Sequence, residues 1–280
     1  MEIRLLDKTE YELSKELWLT CFPEDDRDFV DLYYSMRSKP EYVLGAFDGT
    51  SCPIAMLHMI PMKMRFGSTD RSVCFVAGVS THPLFRRRGV CAKLFEAAFR
   101  IMKERGFEAT ALKPFRASFY ERFGYKTFIR REHFKVSDER LNIIRRTYDD
   151  RVLPDPSALS DIYASFMEGY SGFSVRDKSC FEYLIKEYSM DGAVLNTTAR
   201  GCCAGYESNG ALIVNELFFN PGTDPLSLLP AGFSEYSFPL PIGSCLALSL
   251  PHSIEEFSMI KPLAEGFDPF AFENYGFDMY

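Results

Sequence analysis

The spacing of apolar residues changes several times along the chain, and each change predicts an element. In "TEYELSKELWLTCF", Leu13, Leu17 and Cys21 recur every four residues, which predicts a helix opened by a Thr9 cap. "RDFVDLYYSM" predicts a second helix after the acidic turn Glu24, Asp25, Asp26. "EYVLGAFDG" and "CPIAMLHMIPMKMRFG" predict strands divided by the Asp48-Gly49 turn. In "RSVCFVAGVST" both alternating faces are apolar, as in an interior strand covered on two sides. From Gly89 the period lengthens. Val90, Leu94, Ala97 or Ala98, and Ile101 share one helical face, and Gly106 stands where a C-terminal glycine cap belongs. "FEATALK", ended by Pro114, predicts another central strand. "ASFYERF" predicts a short helix closing on Gly124, and "YKTFIRREHFKV" a further strand. This order predicts an α/β domain with a mixed sheet and a right-handed crossover at its middle.

Around residue 150 the pattern lapses into mixed charges with Pro154 and Pro156, so a domain boundary is expected there, dividing 1–150 from 151–280. Beyond it, "LSDIYASFMEGY" and "CFEYLIKEYSM" read as helices. "GAVLNTT", "CCAGYES" and "ALIVNELFF" read as strands, an arrangement that echoes the first half. The last fifty residues, rich in proline, phenylalanine and glycine, resist assignment.

Composition narrows the function classes. With 46% hydrophobic and 25% charged residues this is an ordinary globular chain, and its net charge of −7 argues against nucleic acid as the main partner. No apolar run approaches the roughly 20 residues that span a bilayer, so no membrane partner is expected. The acid-rich N-terminus does not read as a signal peptide, and a cytoplasmic location is expected. The eight cysteines form no C-x-x-C pair and have no histidine at zinc-ligand spacing, so reduced thiols and no metal are expected.

Against this acidic background "VSTHPLFRRRGVCAKLF" concentrates Arg86, Arg87 and Arg88 at the first turn of a predicted helix, where unpaired N–H groups already attract anions. Most charge runs are solvated surface. Here Gly89 has no Cβ, and Cys91 and Ala92 are small, so a diphosphate could lie close to the backbone. The chain has no G-x-x-x-x-G-K-[ST] and no G-x-G-x-x-G after a strand, so neither a P-loop nor a dinucleotide fold accounts for the turn.

The segment from about Phe75 to Tyr125 resembles the GNAT superfamily of N-acetyltransferases. That family's [Q/R]-x-x-G-x-[G/A] motif reads here Arg86-Arg87-Arg88-Gly89-Val90-Cys91, with cysteine at the last position. Pro83 before it and "FYERFGY" after it keep the family's spacing. "HPLFRRRGV" with "SFYERFGY" is similar to the Eis-type branch, in which two GNAT-like halves stand in tandem. The resemblance implies the GNAT acyltransferase fold, with an acetyl-CoA-binding catalytic half and a degenerate second half that completes the substrate cleft. It also allows a homo-oligomer.

The resemblance implies further that Val79, Ser80 and Thr81 bond the pantetheine arm and acetyl carbonyl. Arg87, Arg88, Gly89, Val90, Cys91 and Ala92 would hold the pyrophosphate, and Tyr120 would act as general acid, against the plain alternative of a packed core tyrosine. Phe115 and Arg116 are weaker cofactor candidates. Glu24, Asp25 and Asp26 are candidates for attracting a cationic small-molecule or peptide amine, and Glu216 is a remote candidate base. His82, beside Pro83, is expected to shape its loop. The competing reading is a catalytically idle acyl-CoA-binding module that senses or scaffolds.

Overall fold

The computed structural model describes residues 1–144 and 152–272, which form two compact units. The boundary expected near residue 150 falls on 145–151, and Tyr280 falls on 273–280. Both lie outside the described residues.

The first unit comprises Met1–Met64, Asp70–Thr127 and Ser258–Ala271. Its chain runs β1 (Glu2–Leu5), α1 (Lys8–Cys21), α2 (Arg27–Met36), β2 (Val43–Phe47), β3 (Ala55–Phe66), β4 (Thr69–Thr81), α3 (Val90–Glu104), β5 (Ala109–Leu112) and α4 (Ala117–Glu121). The strands lie in that order, antiparallel from β1 to β3, with β4 and β5 parallel as a crossover through α3 demands. Helix α1 starts one residue before the expected Thr9 cap. Asp7 accepts the Glu10 N–H and Glu10 bonds back to the Asp7 N–H, a capping box that an Asp-x-x-Glu spacing provides. Helix α3 ends as its sequence predicts, with Gly106 at φ +77° and the Phe107 N–H donating to Met102 O at 3.0 Å.

Helices cover both faces of this sheet. Val90, Leu94, Phe95, Ala98 and Met102 of α3 pack with Leu57, Cys74 and Val76, each such burial worth about 1.5–3 kcal/mol. On the opposite face Trp18, Tyr33 and Tyr34 of α1 and α2 enclose His58 of β3 with ring centroids 5.2–5.5 Å away. Alternation along β3 separates the two layers, His58 facing α1 and α2 while Leu57 and Met59 face α3.

Of the described residues, the second unit comprises Arg65–Thr69, 128–144, 152–257 and Phe272. It holds most of β6 (Lys126–Ser137), then α5 (Asp138–Ile144), α6 (Pro156–Phe166), β7 (Phe173–Ser174), α7 (Lys178–Met190), β8 (Val194–Thr198), β9 (Gly201–Ser208), β10 (Ala211–Phe219), β11 (Glu235–Pro241) and the first half of β12 (His252–Pro262). Its strand order is β6-β11-β10-β9-β8, with β10 and β11 parallel. Cys202 packs beneath α6 and α7 while Cys203 faces the other layer, which explains two adjacent buried thiols in one doubly covered strand. Both are free.

The two units repeat one order: two helices, three antiparallel strands, a connection, and a parallel fourth strand. Their final strands are exchanged. Strand β6, which follows the first unit's helices, pairs with β11, and the end of β12 pairs with β5 through Met259–Pro262 and Leu112–Ala109.

Candidate functional site

The site candidates gather where β4 ends. Pairing of β4 with β5 covers Val73–Phe75, and β4 then runs on to Thr81. Between them Gly78 takes φ +56°, and a Cβ there would stand 2.5 Å from Trp18 and 3.0 Å from His58, so glycine is required. A lone glycine inside a continuous apolar strand is the sequence signal for such a break. Beyond it Val79 and Thr81 are half-buried. Ser80 is buried, its hydroxyl beside the Cys21 thiol.

A short loop then turns the chain into α3. The His82 N–H donates to Ile54 O at 2.9 Å, and His82 Nδ1 accepts the Leu84 N–H of the 3-10 turn Pro83–Phe85. Arg86 Nε donates to Thr81 O at 3.0 Å, which ties the loop's two ends together. Arg87 is held at φ +62°, a left-handed conformation costing a non-glycine residue about 1–2 kcal/mol, and Gly89 at φ +75°. Arg88 lies over the Phe85 ring. All of Arg86–Gly89 is exposed.

The start of α3 differs from the other long helices among the described residues. Asp7, Asp26, Asp155 and Asp177 cap α1, α2, α6 and α7 with their carboxylates, but Gly89 caps α3 with no side-chain bond. The amides of Val90, Cys91 and Ala92 therefore have neither a preceding carbonyl nor a cap to satisfy them. A Cβ built on Gly89 meets no atom within 4 Å. Unfilled amides, an open approach and three arginines suit a diphosphate, with charge-assisted bonds worth about 1.5–3 kcal/mol each. These residues fit the diphosphate of coenzyme A.

Tyr120 stands beside this helix. Its ring meets Phe95 at 6.1 Å, and Phe95 lies four residues along α3 from Cys91, on the same face. Burial and the neighbouring Cys91 thiol push its phenol up to about 12. The half-buried Cys91 is itself raised to about 11 by burial, partly offset by Arg122. Phe115, 71% exposed, sets its ring edge-on to Tyr120 at 5.6 Å, and Arg116 is exposed at the start of α4. The structure thus brings Tyr120, Phe115 and Cys91 together.

The acidic candidates are placed differently. Asp26 is occupied as the α2 cap, Asp25 accepts the Trp18 indole N–H at 2.7 Å, and Glu24 is exposed. Glu216 lies in the second unit in a buried ion pair, 3.1 Å from Arg176 Nη1 through either oxygen. Its charge is thereby committed to structure. Sequence reasoning passed over Trp18, which packs against Gly78, and Cys21, whose half-buried thiol is raised by burial and sits beside Arg86 and the Thr81 backbone. Their one signal, an apolar helical face, is shared with ordinary core residues. Among the described residues no cluster of His, Cys, Asp or Glu could hold a metal, and no helix is long and apolar enough to cross a membrane.

A parallel strand pair whose pairing ends at Phe75, ahead of a helix start with no side-chain cap and three arginines before it, is the local arrangement to set beside known proteins. Residues 2–128 match the family model described as an acetyltransferase (GNAT) domain. No match was found among curated proteins. Solved structures share the fold over most of the chain. A probable N-acyltransferase of unknown function from Enterococcus faecalis is similar with TM-score 0.76 and 14% identity, over 94% of this chain and 72% of that one. Eis1 from Mycobacterium abscessus gives 0.73 and 16%, over 94% and 74%. A GCN5-related N-acetyltransferase from Anabaena variabilis gives 0.76 and 13%, over 94% and 73%. The chain has the GNAT fold, as two GNAT-like halves.

Proposed function

We propose that the protein transfers an acetyl group from acetyl-CoA to the primary amine of a small cationic or peptide substrate by direct attack. The observation that carries this reading is the glycine-opened start of α3, which no side chain caps, beside a buried, protonated Tyr120. Arg87, Arg88 and the amides of Gly89–Ala92 would hold the diphosphate, and Val79–Thr81 the pantetheine arm. Bound acetyl-CoA supplies the thioester that the amine attacks.

Tyr120 keeps its proton at every pH at which the protein would work, since burial has moved it away from ionisation. An ordinary thiol titrates near 8.5, so outright transfer from a phenol near 12 to a thiolate is uphill by about 5 kcal/mol. The amine attacks in its neutral form, its first proton having gone to solvent, and Tyr120 hands its phenolic proton to the departing sulfur as it takes one from the nitrogen that has added to the carbonyl. The exposed Glu24, in the turn that Asp25 ties to Trp18, adds negative charge attractive to a cationic amine. The second unit contains no R-x-x-G-x-[G/A] turn and is read as a degenerate copy that binds no cofactor.

Thiol release from acetyl-CoA across a panel of amines tests the activity. Tyr120→Phe is expected to lower kcat about 100-fold and leave the coenzyme A Kd within about twofold by calorimetry. Unchanged turnover in that variant, or no coenzyme A uptake by the wild type, overturns the proposal.

A further inference from the structure

The far end of the chain reaches the turn that carries Tyr120. Helix α4 has five residues, too few to hold a helical shape unaided, and its last carbonyls need partners. The Phe123 N–H donates to Tyr120 O at 2.9 Å, and the Gly124 N–H to Glu121 O at 2.8 Å. Phe123 O then accepts from Lys261 Nζ at 2.6 Å. The same ammonium lies 4.0 Å from the centroid of Phe99, on α3. It crosses beside Gly124, where a Cβ would stand 3.2 Å from Nζ and φ is +87°. Across the β12–β5 register Lys261 is opposite Thr110, whose hydroxyl lies 3.0 Å from the Tyr125 hydroxyl. Two register partners thus grip one corner, at Phe123 and at Tyr125. Both rings bear on the site: Tyr125 meets Tyr120 at 6.2 Å, and Phe123 stacks at 4.4 Å on Phe95, which itself touches Tyr120.

We infer that Lys261 is a positioning residue for Tyr120, pinning the α4 corner against α3 from a strand supplied by the last part of the chain. The inference rests on the acyl-transfer reading of Tyr120. A flexible four-carbon stem with a compact charge suits a carbonyl and a ring face approached together. This role gives β12 a reason to pair with β5.

The test is a double-mutant cycle in the full chain, with kcat, coenzyme A Kd and thermal unfolding measured in parallel. Lys261→Met is expected to lower kcat about tenfold, leave Kd within about twofold, and cost less than about twofold further in the Tyr120→Phe background. Lys261→Arg, which keeps charge and donors, is expected to restore kcat to within about threefold. Lys261→Gln carries the same comparison if Lys261→Met does not fold. Full kcat in Lys261→Met, the same tenfold loss in the Tyr120→Phe background, or a parallel fall in coenzyme A affinity overturns the positioning role while Tyr120→Phe alone remains impaired. If Tyr120→Phe alone keeps full kcat, the acyl-transfer reading falls and takes this inference with it.

Discussion

The connection after β4 and the connection after β10 hold the same place in their units and treat the amides at their start in opposite ways. Both lead from the third antiparallel strand to a parallel neighbour, β5 or β11. The first is a run of arginines opening a helix whose initial amides lack a cap. The second is a single 3-10 turn, Pro225–Leu228, in which the Asp224 carboxylate accepts the Leu226 N–H at 3.0 Å and Leu226 and Leu228 are buried. One turn presents positive charge and free amides, and the other supplies its own anion and fills the space with leucine. The shared fold therefore makes a place for a binding turn without specifying one, and the chemistry of a few residues decides.

The most severe way to break the comparison is to give the first turn the charge of the second. Gly89→Asp places a carboxylate where the diphosphate is proposed to sit. Aspartate tolerates the left-handed region better than most residues, so a stability cost of about 1 kcal/mol is expected with the fold retained. Coenzyme A affinity is expected to fall at least about 100-fold, equivalent to about 3 kcal/mol, by calorimetry. Affinity within threefold of wild type would separate the α3 start from cofactor binding.

A second contrast lies in the buried polar centres. The second unit buries the Arg176–Glu216 ion pair beside Tyr163, whereas the first buries the neutral His58, with Nδ1 2.8 Å from Ser38 Oγ. Complete burial pushes His58 down to about 3 from an ordinary value near 6.5. The unfolded chain thus takes up a proton between those values that the folded chain refuses. The stability this provides is whole above pH 6.5 and is lost as pH falls towards 3. By pH 5 the loss from this one group amounts to about 2 kcal/mol. Trp18, the only tryptophan in the sequence, lies 5.3 Å from His58, so its fluorescence in urea titrations reports this unit. His58→Gln is expected to flatten the dependence between pH 6.5 and 5. The same slope in the variant would assign acid lability elsewhere.

How much could be read in advance follows from how far apart in sequence the signals lie. Helices α2 and α3 and strand β4 follow their own apolar periods, and the turn at Arg86–Gly89 carries its charge, its glycine and its flanking elements within a few residues. Strands β11 and β12 left no such trace. Pro239 and Pro241 interrupt the first, and His252–Glu256 of the second are all exposed, so no alternation marks either. What makes them strands is pairing with β6 and β5, which no local pattern records. The corner held by Lys261 was hidden for the same reason, since its contact with Phe123 joins residues 138 apart.

The mildest change asks whether removing the second turn's anion would recreate a site. Asp224→Ala frees the Leu226 amide and is expected to cost about 1 kcal/mol, the usual worth of such a cap, read as a small shift in the urea midpoint. No second ligand should follow. The turn provides one short 3-10 turn instead of a long helix, carries no arginine, and keeps Leu226 and Leu228 buried against Tyr236 and Phe238. Calorimetry with coenzyme A should give one site per chain in both proteins, because removing a carboxylate supplies neither the positive charge nor the open approach that the β4 turn has. A second site appearing in Asp224→Ala would mean that the capping anion alone separates the two halves, and that the arginines and Gly89 add less than their geometry suggests.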